Sequence, residues 1–135
     1  MFIGQERLKS HILGLVEAKQ LPQFIILVGG KGAGRSMLVK FIAEAMNAPV
    51  LQPDSLKVDD IRGIISNANK LSNNMIYYLK DADDLTTQAE NALLKLAEEP
   101  PKHCYIIMSV LDTGNVLPTI QSRGKVFRME TYKAD

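Results

Sequence analysis

Between Gly29 and Ser36 the chain reads GGKGAGRS, which meets the phosphate-loop spacing G-x-x-x-x-G-K-[S/T] at every position but one. A loop of this kind holds phosphate for two reasons. Small residues at 29, 32 and 34 let successive backbone N–H groups face one concavity, and the helix that follows presents its positive end. The candidate nucleotide-contacting residues are therefore Gly29, Gly30, Lys31, Gly32, Ala33, Gly34, Arg35, Ser36 and Met37. The exception is Arg35, which stands where the motif has lysine. A guanidinium keeps the charge but is planar and bulkier than an ammonium, and the two are not interchangeable at a phosphate. Arg35 is expected either to bind phosphate poorly or to fold outward. A plainer alternative is that the glycines serve only a tight strand-to-helix crossover.

A second stretch bears on the same chemistry. In phosphate-loop NTPases the lysine reaches the β- and γ-phosphates, the Ser/Thr hydroxyl ligates magnesium, and an Asp on a later strand supports that metal. Ser36 supplies the hydroxyl. The later strand is Met75–Leu79 (MIYYL), and Lys80-Asp81 follows it. Lys80 occupies the place of the metal-supporting Asp, and Asp81 that of the carboxylate that orients water. A lysine beside a magnesium ion repels it, so two positions central to hydrolysis are altered together. His11 and His103 have no Cys or His partner at ligand spacing, and no metal site is expected. Asp81, Asp83 and Asp84 read as a solvated, helix-capping turn.

The elements that must position these residues alternate. Gln5–Lys19 carries a helical stripe at Leu8, Ile12, Leu15 and Val16, and Leu21-Pro22 ends it. Phe24–Val28 is apolar on both faces, as buried parallel strands are. A helix from Met37 to about Asn47, a short strand at Val50-Leu51 and a helix capped by Asp59 or Asp60 follow. After Met75–Leu79, Thr87 and Glu90 form a T-x-x-E capping box for a helix through Glu98, which Pro100-Pro101 ends. Cys104–Val110 is a fourth strand, Leu117–Ser122 a helical turn and Val126–Met129 a fifth strand. Such alternation predicts an α/β fold, a five-stranded parallel sheet with helices on both faces.

Length and composition bound the rest. With 135 residues and 46% hydrophobic content, residues 1–135 fit a single domain with its own core. A formal charge of +1 argues against bulk electrostatic binding of nucleic acid by this chain alone. One cysteine, Cys104, excludes an internal disulfide and a multi-cysteine zinc site, so no zinc is expected. No run approaches the roughly 20 apolar residues of a membrane span, and MFIGQERLKS lacks the profile of a signal peptide. A cytoplasmic protein is expected, with no membrane partner.

Along nearly its whole length the chain resembles the N-terminal AAA+ domain of clamp-loader subunits: bacterial DNA polymerase III gamma/tau and delta-prime, and the replication factor C small subunits. FIGQERLKSHI resembles the family's opening helix, LPQFIILVGGKGAGRSMLVKFIAEAMN its P-loop region, and VDDIRGII the helix before the Walker B strand. MIYYLKDADDLTTQAENALLKLAEEPP resembles that strand with its long helix, and LPTIQSRGKVF the LPTI-x-SRC segment. The resemblance implies a P-loop NTPase core followed by lid and collar domains, and ATP or ADP with magnesium as the nucleotide, held weakly here. It implies as partners the other clamp-loader subunits and, through the assembled complex, the sliding clamp and primer-template DNA. It also implies that Arg123, matching the SRC arginine, acts as a trans arginine finger on a neighbour's ATP.

Departures from the family pattern point toward delta-prime. Arg35 replaces the Walker A lysine and Lys80 the Walker B aspartate, so that Asp81 belongs to a degenerate Walker B. Gly124 replaces the cysteine of SRC, and Val110-Leu111, which can donate no side-chain hydrogen bond, stands at the sensor-1 position. Three readings follow: a clamp-loader module with a degenerate site and a trans finger, a weakly active ATPase in which Arg35 and Asp81 take over the lost roles, or a stand-alone nucleotide-binding or interaction domain. The tail Glu130–Asp135 reads as the approach to a further segment.

Overall fold

A computed structural model describes residues 5–129; the first residues of the FIGQ segment and the tail beyond Met129 lie outside them. Five parallel strands form one sheet: β1 (Phe24–Val28), β2 (Val50–Leu51), β3 (Met75–Leu79), β4 (Cys104–Val110) and β5 (Lys125–Arg128). Their order is β2-β3-β4-β1-β5. Parallel neighbours need crossovers, and the sequence supplies helices for them: α1 (Glu6–Glu17), α2 (Arg35–Met46), α3 (Val58–Ala68), α4 (Thr87–Glu98) and α5 (Pro118–Arg123).

Alternation along the central strands splits the core into two layers. Ile26, Tyr77, Leu79, Ile106 and Met108 pack with Ile61, Leu93, Leu96 and Ile120, which puts α3, α4 and α5 on one face. Ile25, Leu27, Ile76, Tyr78 and Ile107 pack with Ile12, Leu38 and Ile42, which puts α1 and α2 on the other. Both faces being covered explains why β1 is buried at all five positions. Cys104 is fully buried at the start of β4, and burial pushes its thiol up to about 11.

Several local expectations are corrected. α2 begins at Arg35 rather than Met37, and α5 and β5 run one residue differently from the reading above. Asp59 and Asp60 do not cap α3. They lie inside its first turn, where their charge faces the helix's positive end. Lys57 is the N-cap, and Ser55 Oγ accepts the Lys57 N–H at 3.2 Å while bonding Asp60. Likewise Thr86, not Thr87, caps α4, its Oγ1 accepting from Ala89 N at 3.1 Å. Glu90 does not complete a capping box. Its carboxylate accepts the Leu117 N–H at 3.0 Å and so ties α4 to the start of α5.

Candidate nucleotide site

In parallel α/β sheets ligands bind beyond the carboxyl ends of the strands, and here β1, β3 and β4 bring their loops together there. Gly29 N–H donates to Val110 C=O at 3.1 Å, which joins the loop after β1 to the end of β4. One turn of 3₁₀ helix, Lys31–Ala33, leads into Gly34, whose φ of 86° is the left-handed conformation that favours glycine. Among the glycines of the loop, Gly34 is the one with a left-handed backbone. Leu38 N–H to Gly34 C=O at 3.0 Å opens the helical ladder of α2, and the N–H groups before it face the loop.

Arg35 does not fold outward. It is 4% exposed, and its Nη2 donates to Asp81 Oδ1. Asp81 follows β3 with a φ of 55°, a left-handed conformation that aspartate tolerates better than most residues. Its own N–H is held by Ser109 Oγ at 3.1 Å. The cation of the loop and the carboxylate after β3 are therefore joined to one another. Arg35 Nη1 is buried and has no hydrogen-bond partner among the described residues.

Two residues escaped the sequence reading. Tyr78 OH donates to Ser109 Oγ at 3.1 Å and lies 3.3 Å from Ser36 Oγ, so a line of hydroxyls runs from the loop to the Asp81 backbone. The signal was present: Ser109 is a polar residue inside a buried apolar strand, and such a group must find a partner. A cavity of about 390 Å³ lies over this arrangement, lined by Lys31, Gly34, Arg35, Ser36, Met37, Lys80 and Asp81. A larger open groove of about 580 Å³ adjoins it at Ser36 and Tyr78, between α2 and β2. Size does not mark the site, because the loop and its charges converge on the smaller cavity.

Lys80 is exposed at the rim and Val110 is fully buried. The Leu111 side chain is 51% exposed, while its N–H donates to Asp83 Oδ2 at 2.7 Å. Asp83 also accepts from Asn115 Nδ2 at 3.1 Å, so it ties a turn together. His103 Nδ1 lies 2.9 Å from Asn74 Oδ1, and His11 meets the Phe127 ring edge-on at 5.9 Å. Among the described residues no group of three or more His, Cys, Asp or Glu gathers.

Arg123 is not part of this cluster. It ends α5 just before β5 begins, and Gly124 sits against Phe24 at the start of β1. The loop leaves the other end of β1, about 16 Å away for five residues at roughly 3.3 Å each. Arg123 is half exposed, and its Nη2 lies 3.8 Å from Glu98 Oε1 at the end of α4. Gln121 braces the helix by donating to Thr113 C=O at 3.0 Å and Val116 C=O at 2.9 Å. The structure also accounts for Gly124: a Cβ there would lie 2.9 Å from Phe24 Cδ1.

Residues 49–133 match the model of the family described as DNA polymerase III, delta subunit. The chain belongs to that family. It is 26% identical over 155 residues to the DNA polymerase III subunit tau of Bacillus subtilis, covering 93% of this chain and 28% of that protein. A replication factor C small subunit from Methanosphaera stadtmanae is 27% identical, covering 98% of this chain and 44% of its own length. The chain thus spans less than half of these relatives. A DNA polymerase III gamma subunit-related protein from Thermotoga maritima superposes with a TM-score of 0.71 at 26% identity, over 95% of this chain and 46% of that one. The RuvB Holliday junction branch migration motor of Thermotoga maritima shares the fold, with a TM-score of 0.76 at 19% identity, over 98% of this chain and 47% of that one. The family and this fold make the chain a clamp-loader-like AAA+ module of DNA replication. No helix of the described residues is long and apolar enough to cross a membrane.

Proposed function

We propose that this module is a delta-prime-like stator: it hydrolyses no ATP of its own and lends Arg123 to a neighbouring clamp-loader subunit. The observation that carries the reading is the Arg35–Asp81 pair. Hydrolysis requires a cation free to follow the γ-phosphate and a carboxylate free to orient water, and here each neutralises the other. Ser36 Oγ lies within hydrogen-bonding distance of Tyr78 OH, and Lys80 stands where a carboxylate would support the metal. The residues present do not fit a magnesium ion. Any nucleotide, ATP or ADP, would be held by Gly29–Met37 alone and weakly.

Arg123 suits action in trans. It lies about a strand's length from its own loop, too far for a side chain to span, so its natural target is a phosphate held by another subunit. The implied partners are the other clamp-loader AAA+ subunits and, through the complex they form, the sliding clamp and primer-template DNA, in the cytoplasm. In the assembled complex, Arg123→Ala is expected to lower the neighbour's ATP turnover by about tenfold or more. The isolated subunit is expected to show no turnover with magnesium and ATP. An unchanged rate in the complex rejects the finger, and magnesium-dependent turnover by the subunit alone favours the ATPase reading instead.

A further inference from the structure

We infer that Asp83 is a positioning residue for Arg123, holding the short helix that carries the finger through the segment 111–116. The inference rests on the preceding reading of Arg123 as a finger acting in trans, and it deepens that reading by naming what aims it. An arginine finger works only where its fork meets the phosphate, and a displacement of about 1 Å can cost about a hundredfold in rate. Arg123 is not aimed by its own contacts. It is half exposed, and its approach to Glu98 at 3.8 Å is the kind of surface pair that holds little. α5 has six residues, far fewer than the roughly 12 that an independent helix needs, so its tethers set its direction.

Ile120 anchors α5 in the core, and one point of attachment leaves a helix free to turn about it. Glu90 fixes the start by accepting the Leu117 N–H at 3.0 Å. Gln121 fixes the half nearer Arg123, donating to the carbonyls of Thr113 and Val116. That brace is as firm as the segment it grips, which lies outside the sheet and the α-helices. Val116 is buried, whereas Leu111, Asp112, Gly114 and Asn115 are exposed. Asp112 Oδ1 accepts the Gly114 N–H at 3.1 Å, a bond that shapes the turn without tying it to anything else. Asp83 supplies the tie. One oxygen, Oδ2, accepts the Leu111 N–H at 2.7 Å and Asn115 Nδ2 at 3.1 Å, so both ends of the exposed stretch hang from the turn after β3. That turn is itself held at Ala82, which is buried, and at Asp81, by Arg35 and Ser109. Asp83 thereby aims Arg123 from a distance, and a single neutral oxygen in its place can accept the same two bonds.

The test measures ATP turnover at the neighbouring subunit in the assembled complex with magnesium, for Asp83→Ala and Asp83→Asn, each with Arg123 intact and with Arg123→Ala. Asp83→Ala is expected to lower kcat by about tenfold and leave KM for ATP unchanged, because a finger acts in the transition state. Asp83→Asn, which keeps one acceptor oxygen, should stay within about threefold of the native rate. In the Arg123→Ala complex neither change should lower the rate further, since the effect passes through the finger. Native turnover for Asp83→Ala beside a low rate for Arg123→Ala overturns the inference and leaves the finger in place. Losses that multiply overturn it too, because Asp83 would then act by another route, and a raised KM at unchanged kcat does the same. Asp83→Asn falling as far as Asp83→Ala makes the charge rather than the two bonds the cause, which also overturns it. No loss for Arg123→Ala overturns the finger reading and this inference together. Should Asp83→Ala fail to assemble, Gln121→Ala breaks the same brace at its other end: a comparable loss of kcat is expected, and a native rate overturns the inference.

Discussion

If Arg35 and Asp81 hold one another, removing the two partners should have unequal consequences. The guanidinium side chain is 4% exposed and the carboxylate side chain 44% exposed, so the pair straddles the surface. Breaking a fully buried pair by removing one partner costs about 3–5 kcal/mol, whereas an exposed pair is worth about 0–1 kcal/mol. Asp81→Asn leaves a buried cation with its second nitrogen already unpartnered, and should cost about 2 kcal/mol, between those limits. Arg35→Met removes the cation together with that orphaned nitrogen and keeps an apolar stem. The carboxylate it leaves behind can rehydrate, so the cost should stay below about 1 kcal/mol. Urea unfolding at constant m reads both values, and the double variant should lie close to Arg35→Met alone. Arg35→Met costing more than Asp81→Asn would refute the reasoning. So would Asp81→Asn within about 0.5 kcal/mol of the native protein, the range of an ordinary surface change.

Gly124→Cys restores the residue that the family pattern places after the SRC arginine. It should nevertheless destabilise by about 1–3 kcal/mol through the 2.9 Å approach to Phe24, and a smaller residue at Phe24 should relieve part of that loss; an undiminished thermal midpoint for the single variant counts against the clash. At the start of α4, Thr86→Ala should cost about 1 kcal/mol and Thr87→Ala less than about 0.5, because only Thr86 accepts a helix N–H. Equal losses in a denaturant titration would return the cap to Thr87.

Much of the site's frame was readable one residue at a time. FIILV, MIYYL and CYIIMSV are short apolar runs bounded by turn residues, and helical stripes separate them. Those signals are local, so the alternation and the parallel sheet followed from them. The P-loop spacing is equally local, which is why Gly29–Ser36 stood out. The errors were local too. Thr86 and Thr87 both offer a hydroxyl at a helix start, and only the chain's entry direction decides which one turns back to cap it.

What the amino-acid order left open is everything that depends on which strands are neighbours. Alternation says that strands are buried, but the order β2-β3-β4-β1-β5 is what carries Asp81 to Arg35, 46 positions away, and Tyr78 between Ser36 and Ser109. Composition could suggest that Arg35 binds phosphate poorly or turns outward. Only the packed sheet, by burying it beside a carboxylate, made it turn inward. Arg123 shows the same division. Its motif is legible in LPTIQSR, but its place at the far end of β1, beside Glu98 and away from its own loop, comes from the direction the parallel strands run. Side-chain type is a property of the chain; which side chains meet is set by strand register and sheet order, because those are decided by burial across the whole core.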